Sequence, residues 1–217
     1  MNISTLHNYL TKTIPLLACI STAFLLSGCS LVSTPSSTLV EISPSVFVPL
    51  PSPDQLGYNV TAGQLISATW PVEGNSGKTQ NQQLPVHLEV TKQQIVLAGF
   101  SSWGTRILSL DYQKDNIETS VLSGLENTLP APEQILFNLM ITLWPISAWE
   151  APLNQVKWKI SETEYQRTIF DAAGSTVIVI EYENSDPLSG LIQFENRHLG
   201  YTISIQTLNA DIVDAHN

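Results

Sequence analysis

The sequence predicts a mainly β domain, a meander of antiparallel strands wrapped around a helical insertion. Three observations point there. From Thr61 onward, short runs of alternating apolar and polar residues, punctuated by Gly, Asn, Asp and Pro, recur roughly nine or ten times. Helical spacing shows only in the middle, after Pro132. Strands and helices do not alternate and no repeat of solenoid length appears, which argues against a parallel sheet. Such a curved sheet offers a concave apolar face to a helix or to a ligand.

The first thirty residues read as an address. One cation, Lys12, precedes an apolar stretch from Ile14 to Leu26, interrupted by Pro15, Ser21 and Thr22. That is short for a membrane span and fits the core of a secretion signal. It ends in Leu26-Ser27-Gly28-Cys29, which resembles the bacterial lipobox. Residues 1–28 are therefore expected to be a lipoprotein signal peptide. Cys29 is then the lipidation site, carrying a diacylglyceryl group and a further acyl chain on its freed amine, enough together for stable anchoring. Ser30 in place of Asp directs such a protein to the outer membrane, facing the periplasm, under the enterobacterial sorting rule. Lipoprotein-sorting machinery is the implied partner during biogenesis. Cys19 leaves with the signal, so the mature fold is expected to hold no disulfide.

Residues 29–55 are rich in Ser, Thr and Pro and read as an extended tether. Within it Val46-Phe47-Val48-Pro49-Leu50 is apolar enough to dock on the domain. The domain is placed at 56–210 and a short tail at 211–217. Strands are predicted at Gln64–Trp70, Gln83–Thr91, Gln94–Phe100, Arg106–Tyr112 and Ile117–Leu122. A helix opens at Pro132-Glu133, where proline suits the first turn and the carboxylate suits the positive end. Ile135, Leu136, Leu139, Met140 and Leu143 keep its spacing, and Pro145 stops it. Ile146–Ala151 reads as a short second helical turn. Strands then resume at Val156–Ser161, Glu164–Asp171, Thr176–Tyr182, Leu191–Asn196 and Tyr201–Leu208.

Composition limits the chemistry. Of 217 residues, 43% are hydrophobic and 13% charged, against about 25% charged in ordinary domains. A net charge of −10 argues against a basic nucleic-acid face. His87, His198 and His216 stand in no metal-ligand spacing, and no Gly-x-Ser-x-Gly elbow or phosphate loop occurs. Glu181, Glu183 and Glu195 read as solvent-facing strand carboxylates rather than hydrolase residues. Arg106 and Arg197 read as ordinary ion-pair partners, with an acidic headgroup as the alternative. Trp103, in a turn, either folds back on the core or is presented outward to a membrane or ligand. Packing is the simpler reading. Trp144 and Trp149 either line a cavity mouth or pack helix against sheet.

Three stretches resemble a known family: Leu97 through Leu110 with its glycine-framed turn Gly99 to Gly104, the helix from Pro132 to Pro145, and Asp186 through Ile203. Together they resemble small bacterial lipoproteins of unknown function, often encoded beside aryl polyene or other fatty-acid-like biosynthesis genes. These are related in fold to the outer-membrane lipoprotein receptor and the periplasmic lipoprotein carrier. The resemblance implies an incomplete antiparallel β-barrel closed by helices around an apolar cavity. It also implies acyl or polyene-like cargo, no cofactor, no metal and no catalytic residue. The candidate lining or mouth of that cavity is Leu97, Phe100, Trp103, Phe137, Leu139, Met140, Trp144 and Trp149. The alternative is a structural lipoprotein that holds a protein partner on its sheet surface.

Overall fold

The computed structural model describes residues 38–72, 77–114, 116–125 and 130–214. The signal segment, the lipobox with Cys29, and His216 lie outside the described residues. A short hairpin comes first, β1 (Leu39–Ser43) and β2 (Val46–Pro49), then a 3-10 turn at Pro53–Leu56. Five strands follow: β3 (Tyr58–Pro71), β4 (Thr79–Val90), β5 (Ile95–Phe100), β6 (Arg106–Gln113) and β7 (Asn116–Val121). Two helices stand in the middle, α1 (Pro132–Leu143) and α2 (Ile146–Gln155). Five more strands end the domain: β8 (Lys159–Glu162), β9 (Gln166–Phe170), β10 (Thr176–Tyr182), β11 (Leu191–Asn196) and β12 (Tyr201–Asp214).

Ten strands form one antiparallel sheet in the order β7-β6-β5-β4-β3-β12-β11-β10-β9-β8. Each half is a meander, and the halves join where β3 pairs with β12. That pairing runs from Thr69↔Thr202 to Tyr58↔Asp214, with one bulge between Thr207 and Asn209. The sheet is not closed; β7 and β8 are its edges. This is the expected mainly β, incomplete barrel, and β12 reaches Asp214 rather than stopping near 210.

Alternation decides the faces. On β3, Val60, Ala62 and Gln64 are buried, and the same face continues through half-buried Ile66, Ala68 and Trp70. Val86, Leu88 and Val90 of β4, and Leu108, Leu110 and Tyr112 of β6, share it. The opposite face carries polar side chains such as Thr69, His87, Gln193 and Glu195.

Residues 39–55, expected within the tether, are folded. Val40, Ile42, Val48 and Leu50 are buried in the main core, with β1 packed on α1 and β2 on α2. The alternation in Leu39-Val40-Glu41-Ile42 explains the correction: the Pro- and Ser-rich flanks hide a strand with one apolar face. Polar bonds fix its exit. The Trp144 indole donates to the Ser52 carbonyl at 3.1 Å and the Tyr112 hydroxyl to that of Pro51 at 3.1 Å. Among the described residues the buried core runs from Val40 to Ile205, all of it inside the compact unit Pro35–Asn217, which has the size and the core of a domain.

The hairpin on one side and the sheet on the other bury α1 from Leu136 through Trp144. A buried helix end must place its last carbonyls. Pro145 forces Trp144 into an extended conformation, so no helical turn continues to cover them. Side chains do so instead. Arg167 of β9 donates to the carbonyls of Ile141 and Trp144, the latter at 2.8 Å. The Tyr182 hydroxyl of β10 donates to Thr142 at 2.9 Å. The Trp149 indole of α2 adds a bond at 3.3 Å to the Met140 carbonyl, which already accepts the Trp144 N–H at 2.8 Å. Arg167 is balanced by Glu162 on the neighbouring strand and adds a cation at the negative helix end. Helix α2 runs past Ala151, through Pro152 to Gln155. Pro152 and Leu153 are buried, which offsets the hydrogen bond a proline removes from a helix.

Two substitutions test this architecture by urea unfolding. Ile42→Ala should cost about 2–4 kcal/mol, as for a core residue; a tether residue would cost nothing. Arg167→Ala should cost about 3 kcal/mol, since it strands two buried carbonyls and a carboxylate.

Candidate functional site

The packing of α1 is uneven along its length. Its C-terminal half is locked to β9 and β10. Its N-terminal half stands over the central strands, with Gln134 and Ile135 only half-buried. Between them lies a cavity of about 360 Å³, within the range of small-molecule sites, roughly 300–1,000 Å³. Its floor is the inner face of the sheet: Ile66, Ala68 and Trp70 of β3, Leu84 and Val86 of β4, Leu97 of β5 and Leu108 of β6. Ile203 and Ile205 of β12 extend it. Gln134, Ile135, Asn138 and Leu139 of α1 form the roof. No charged side chain is among the described residues that line it.

Gly99 shapes the floor. It sits on the inner face of β5, where a Cβ would come within 2.8 Å of a Leu84 methyl and 3.3 Å of Leu108 Cβ. Its hydrogen lets these two leucines close over the strand.

The cavity lies toward one end of the sheet, marked by half-buried Trp70 and exposed Pro130. The β3–β4, β5–β6 and β11–β12 connections all fall at that end. Val72, Trp103, Leu122 and Leu199 are exposed apolar residues in the connections there. Trp103 is 91% exposed, which overturns the packing reading. Its turn is held by Ser101 N–H to the Thr105 carbonyl at 2.8 Å and Gly104 N–H to that of Ser101 at 2.9 Å. Gly104 takes a φ of +79°, which favours glycine. The tryptophan is thus presented outward on a well-bonded turn.

One corner of the cavity is polar. The Tyr201 hydroxyl donates to Asn138 Oδ1 at 2.8 Å and accepts from Gln134 Nε2 at 3.1 Å. Gln134 Nε2 also donates to Asn138 Oδ1 at 3.2 Å, and buried Asn196 reaches the same hydroxyl at 3.5 Å. Burial pushes the Tyr201 phenol up to about 12, against a smaller opposing effect of these bonds.

Of the sequence candidates, the structure brings Leu97 and Leu139 together in the cavity wall. Phe137, Met140, Trp144 and Trp149 are fully buried in the core and stand outside the cavity lining. Phe137 and Trp149 meet edge to face at 5.4 Å. Phe100 is half-buried beside the irregularity that ends β5. Sequence reasoning missed Trp70, Leu84, Asn138 and Tyr201. The available signal was Asn138, a polar residue set in an apolar helical run.

Ser43, His198 and Asp171 have the residue types of a nucleophile triad but not its geometry. Ser43 is buried, with its hydroxyl 2.8 Å from His198 Nδ1, and Asp171 Oδ2 stands 4.0 Å from Nε2. None of the three lines the cavity. They tie the N-terminal hairpin to the β9–β10 and β11–β12 turns. Arg197 pairs with Glu195 at 2.9 Å, both about half exposed. Among the described residues no cluster of His, Cys, Asp or Glu is placed to hold a metal, and no helix is long and apolar enough to cross a membrane.

Residues 61–209 match the family described as "Protein of unknown function (DUF3261)", and the chain belongs to it. No curated protein matches. Solved structures to which the chain is similar include a LolA superfamily protein from Nitrosomonas europaea, at 7% identity and a TM-score of 0.38, covering 75% of this chain and 90% of that one. A second is a domain from Vibrio parahaemolyticus whose description proposes outer-membrane lipoprotein sorting (7% identity, TM-score 0.32, 75% and 88% covered). A third is a DUF1329 family protein from Desulfovibrio piger (8% identity, TM-score 0.29, 73% and 88% covered).

The raised tyrosine gives a pH test. Below pH 10 the phenol is protonated both folded and unfolded, and its contribution is whole. Between pH 10 and about 12 the unfolded chain loses the proton first, so stability falls. Tyr201→Phe should lose less stability than the parent across that window, by on the order of 2 kcal/mol in urea unfolding. Equal losses would place the phenol in contact with water.

Proposed function

We propose that the protein is an outer-membrane-anchored lipoprotein facing the periplasm, which binds a hydrophobic acyl or polyene-like ligand in this cavity and assists its transport or insertion. The observation that carries the reading is a ligand-sized apolar cavity with no charged wall. Affinity then comes from burial, about 0.8 kcal/mol per methylene before the costs of association. The lipobox at Leu26–Cys29 supports a lipid anchor, and Ser30 supports the outer membrane. The apolar rim headed by Trp103 supports delivery at a membrane surface, where an indole suits the boundary between apolar and wet. No step of this function requires catalysis.

The test uses the Pro35–Asn217 unit, secreted and purified without detergent. Native mass spectrometry should show a discrete apolar adduct that organic solvent removes. The extracted protein should then bind the neutral fluorescent probe N-phenyl-1-naphthylamine. Ala68→Trp, which fills the floor, should weaken probe binding at least tenfold with an unchanged circular dichroism spectrum. A clean apo mass with no probe binding would favour instead a lipoprotein that holds a protein partner on its sheet surface.

A further inference from the structure

We propose that the polar corner of the cavity is a head-group subsite, in which the Asn138 side-chain amide donates to the uncharged polar junction of a lipid, an ester or amide carbonyl at the head of its acyl chain. The proposal rests on the hydrophobic-ligand reading above and refines it.

Asn138 sits in the roof with the residue only 8% exposed. Its neighbours fix which way its amide faces. Tyr201 accepts from Gln134 Nε2, and Asn196 Nδ2 offers it a second donor, so its own hydrogen goes to Asn138. The phenol keeps that hydrogen because burial holds its ionisation near pH 12. The Asn138 atom facing Tyr201 and Gln134 is therefore the oxygen, and it receives both bonds. Nδ2 is left with two hydrogens to donate and no protein acceptor among the described residues. It is not sealed within protein, unlike Gln64 Oε1, which is both sealed and unpartnered. A nine-tenths buried residue lining a cavity presents such a donor to what fills that cavity.

The rest of the lining says what kind of acceptor fits. With no cation on the wall, an ionised carboxylate would give up its hydration for one amide donor, a poor exchange. An ester or amide carbonyl needs a single donor and brings no charge. At about 360 Å³ the cavity is of a size to take an acyl chain. The site thus selects a neutral acylated lipid over the free fatty acid anion.

The test is displacement of N-phenyl-1-naphthylamine from the Pro35–Asn217 unit at pH 8 by methyl laurate, laurate and dodecane. Methyl laurate is expected to bind at least tenfold more tightly than laurate. Asn138→Leu is expected to weaken methyl laurate about 3- to 10-fold relative to dodecane, the worth of one hydrogen bond. Asn138→Asp keeps the side chain's shape and the bonds from Tyr201 and Gln134 but loses the donor, and should shift the same ratio in the same direction. Laurate binding as tightly as its ester, or an ester-to-dodecane ratio unmoved in both variants, would overturn the subsite and leave the hydrophobic-ligand reading standing. Failure of all three compounds to displace the probe would overturn both.

Discussion

A helix buried on every side has to dispose of its last carbonyls, and in this protein the sheet supplies the donors. Arg167 and Tyr182 take up the carbonyls of Ile141 and Thr142, which Pro145 prevents the chain from covering by a further turn. Unpaired, each group would cost about 1–3 kcal/mol in an interior of low dielectric. Arg167 is the central member. It crosses from β9 to two helix carbonyls while Glu162 balances its charge, so one residue couples the strand edge, the helix end and the loop into α2.

Anchoring at one end leaves room at the other. The C-terminal half of α1 is pinned to β9 and β10, whereas its N-terminal half lies over β3, β4, β5 and β12, where the long central strands make the floor. There the side chains are medium-sized, Ile66, Ala68, Leu84, Val86 and Leu97, and Gly99 contributes none. The large aromatics Trp144 and Trp149 have gone to the pinned end, and Phe137 packs against Trp149 rather than lining the cavity. The uneven distribution of volume along one helix separates the part of the domain that holds the fold from the part that holds space. The same end of the sheet carries Trp103 and the exposed apolar residues Val72, Leu122 and Leu199, so the cavity and the apolar rim lie toward one end.

Much of this was legible in the chain. Alternation located the strands of the main sheet, and Pro132 and Pro145 bracketed α1, because these signals are local. The hairpin at 39–49 was obscured by its prolines and serines, although Val40 and Ile42 alternate with Leu39 and Glu41. The cavity was less legible. The aromatic candidates on the helices, Phe137, Trp144 and Trp149, belong to the core, because large rings are what fill a core. The lining depends instead on the pairing of β3 with β12, residues more than a hundred apart in sequence, which places Ile66 opposite Ile205 and Ala68 opposite Ile203. No local pattern encodes that register. Trp103 was misread for a related reason: an apolar residue in a turn packs inward unless the turn's own bonds hold it out, and those bonds are visible only in three dimensions.

The central claim is that pinning α1 at one end leaves an apolar, ligand-accepting space at the other. Crystals of the Pro35–Asn217 unit pressurised with xenon test it most directly, since xenon enters apolar cavities without imposing a shape. The expected result is xenon between Ala68 and Leu97 on the sheet and Ile135 and Leu139 on the helix, with Arg167 still bonded to the Ile141 and Trp144 carbonyls. A helix whose N-terminal half has closed onto Ile66 and Leu84, with no xenon beneath it, would contradict the claim.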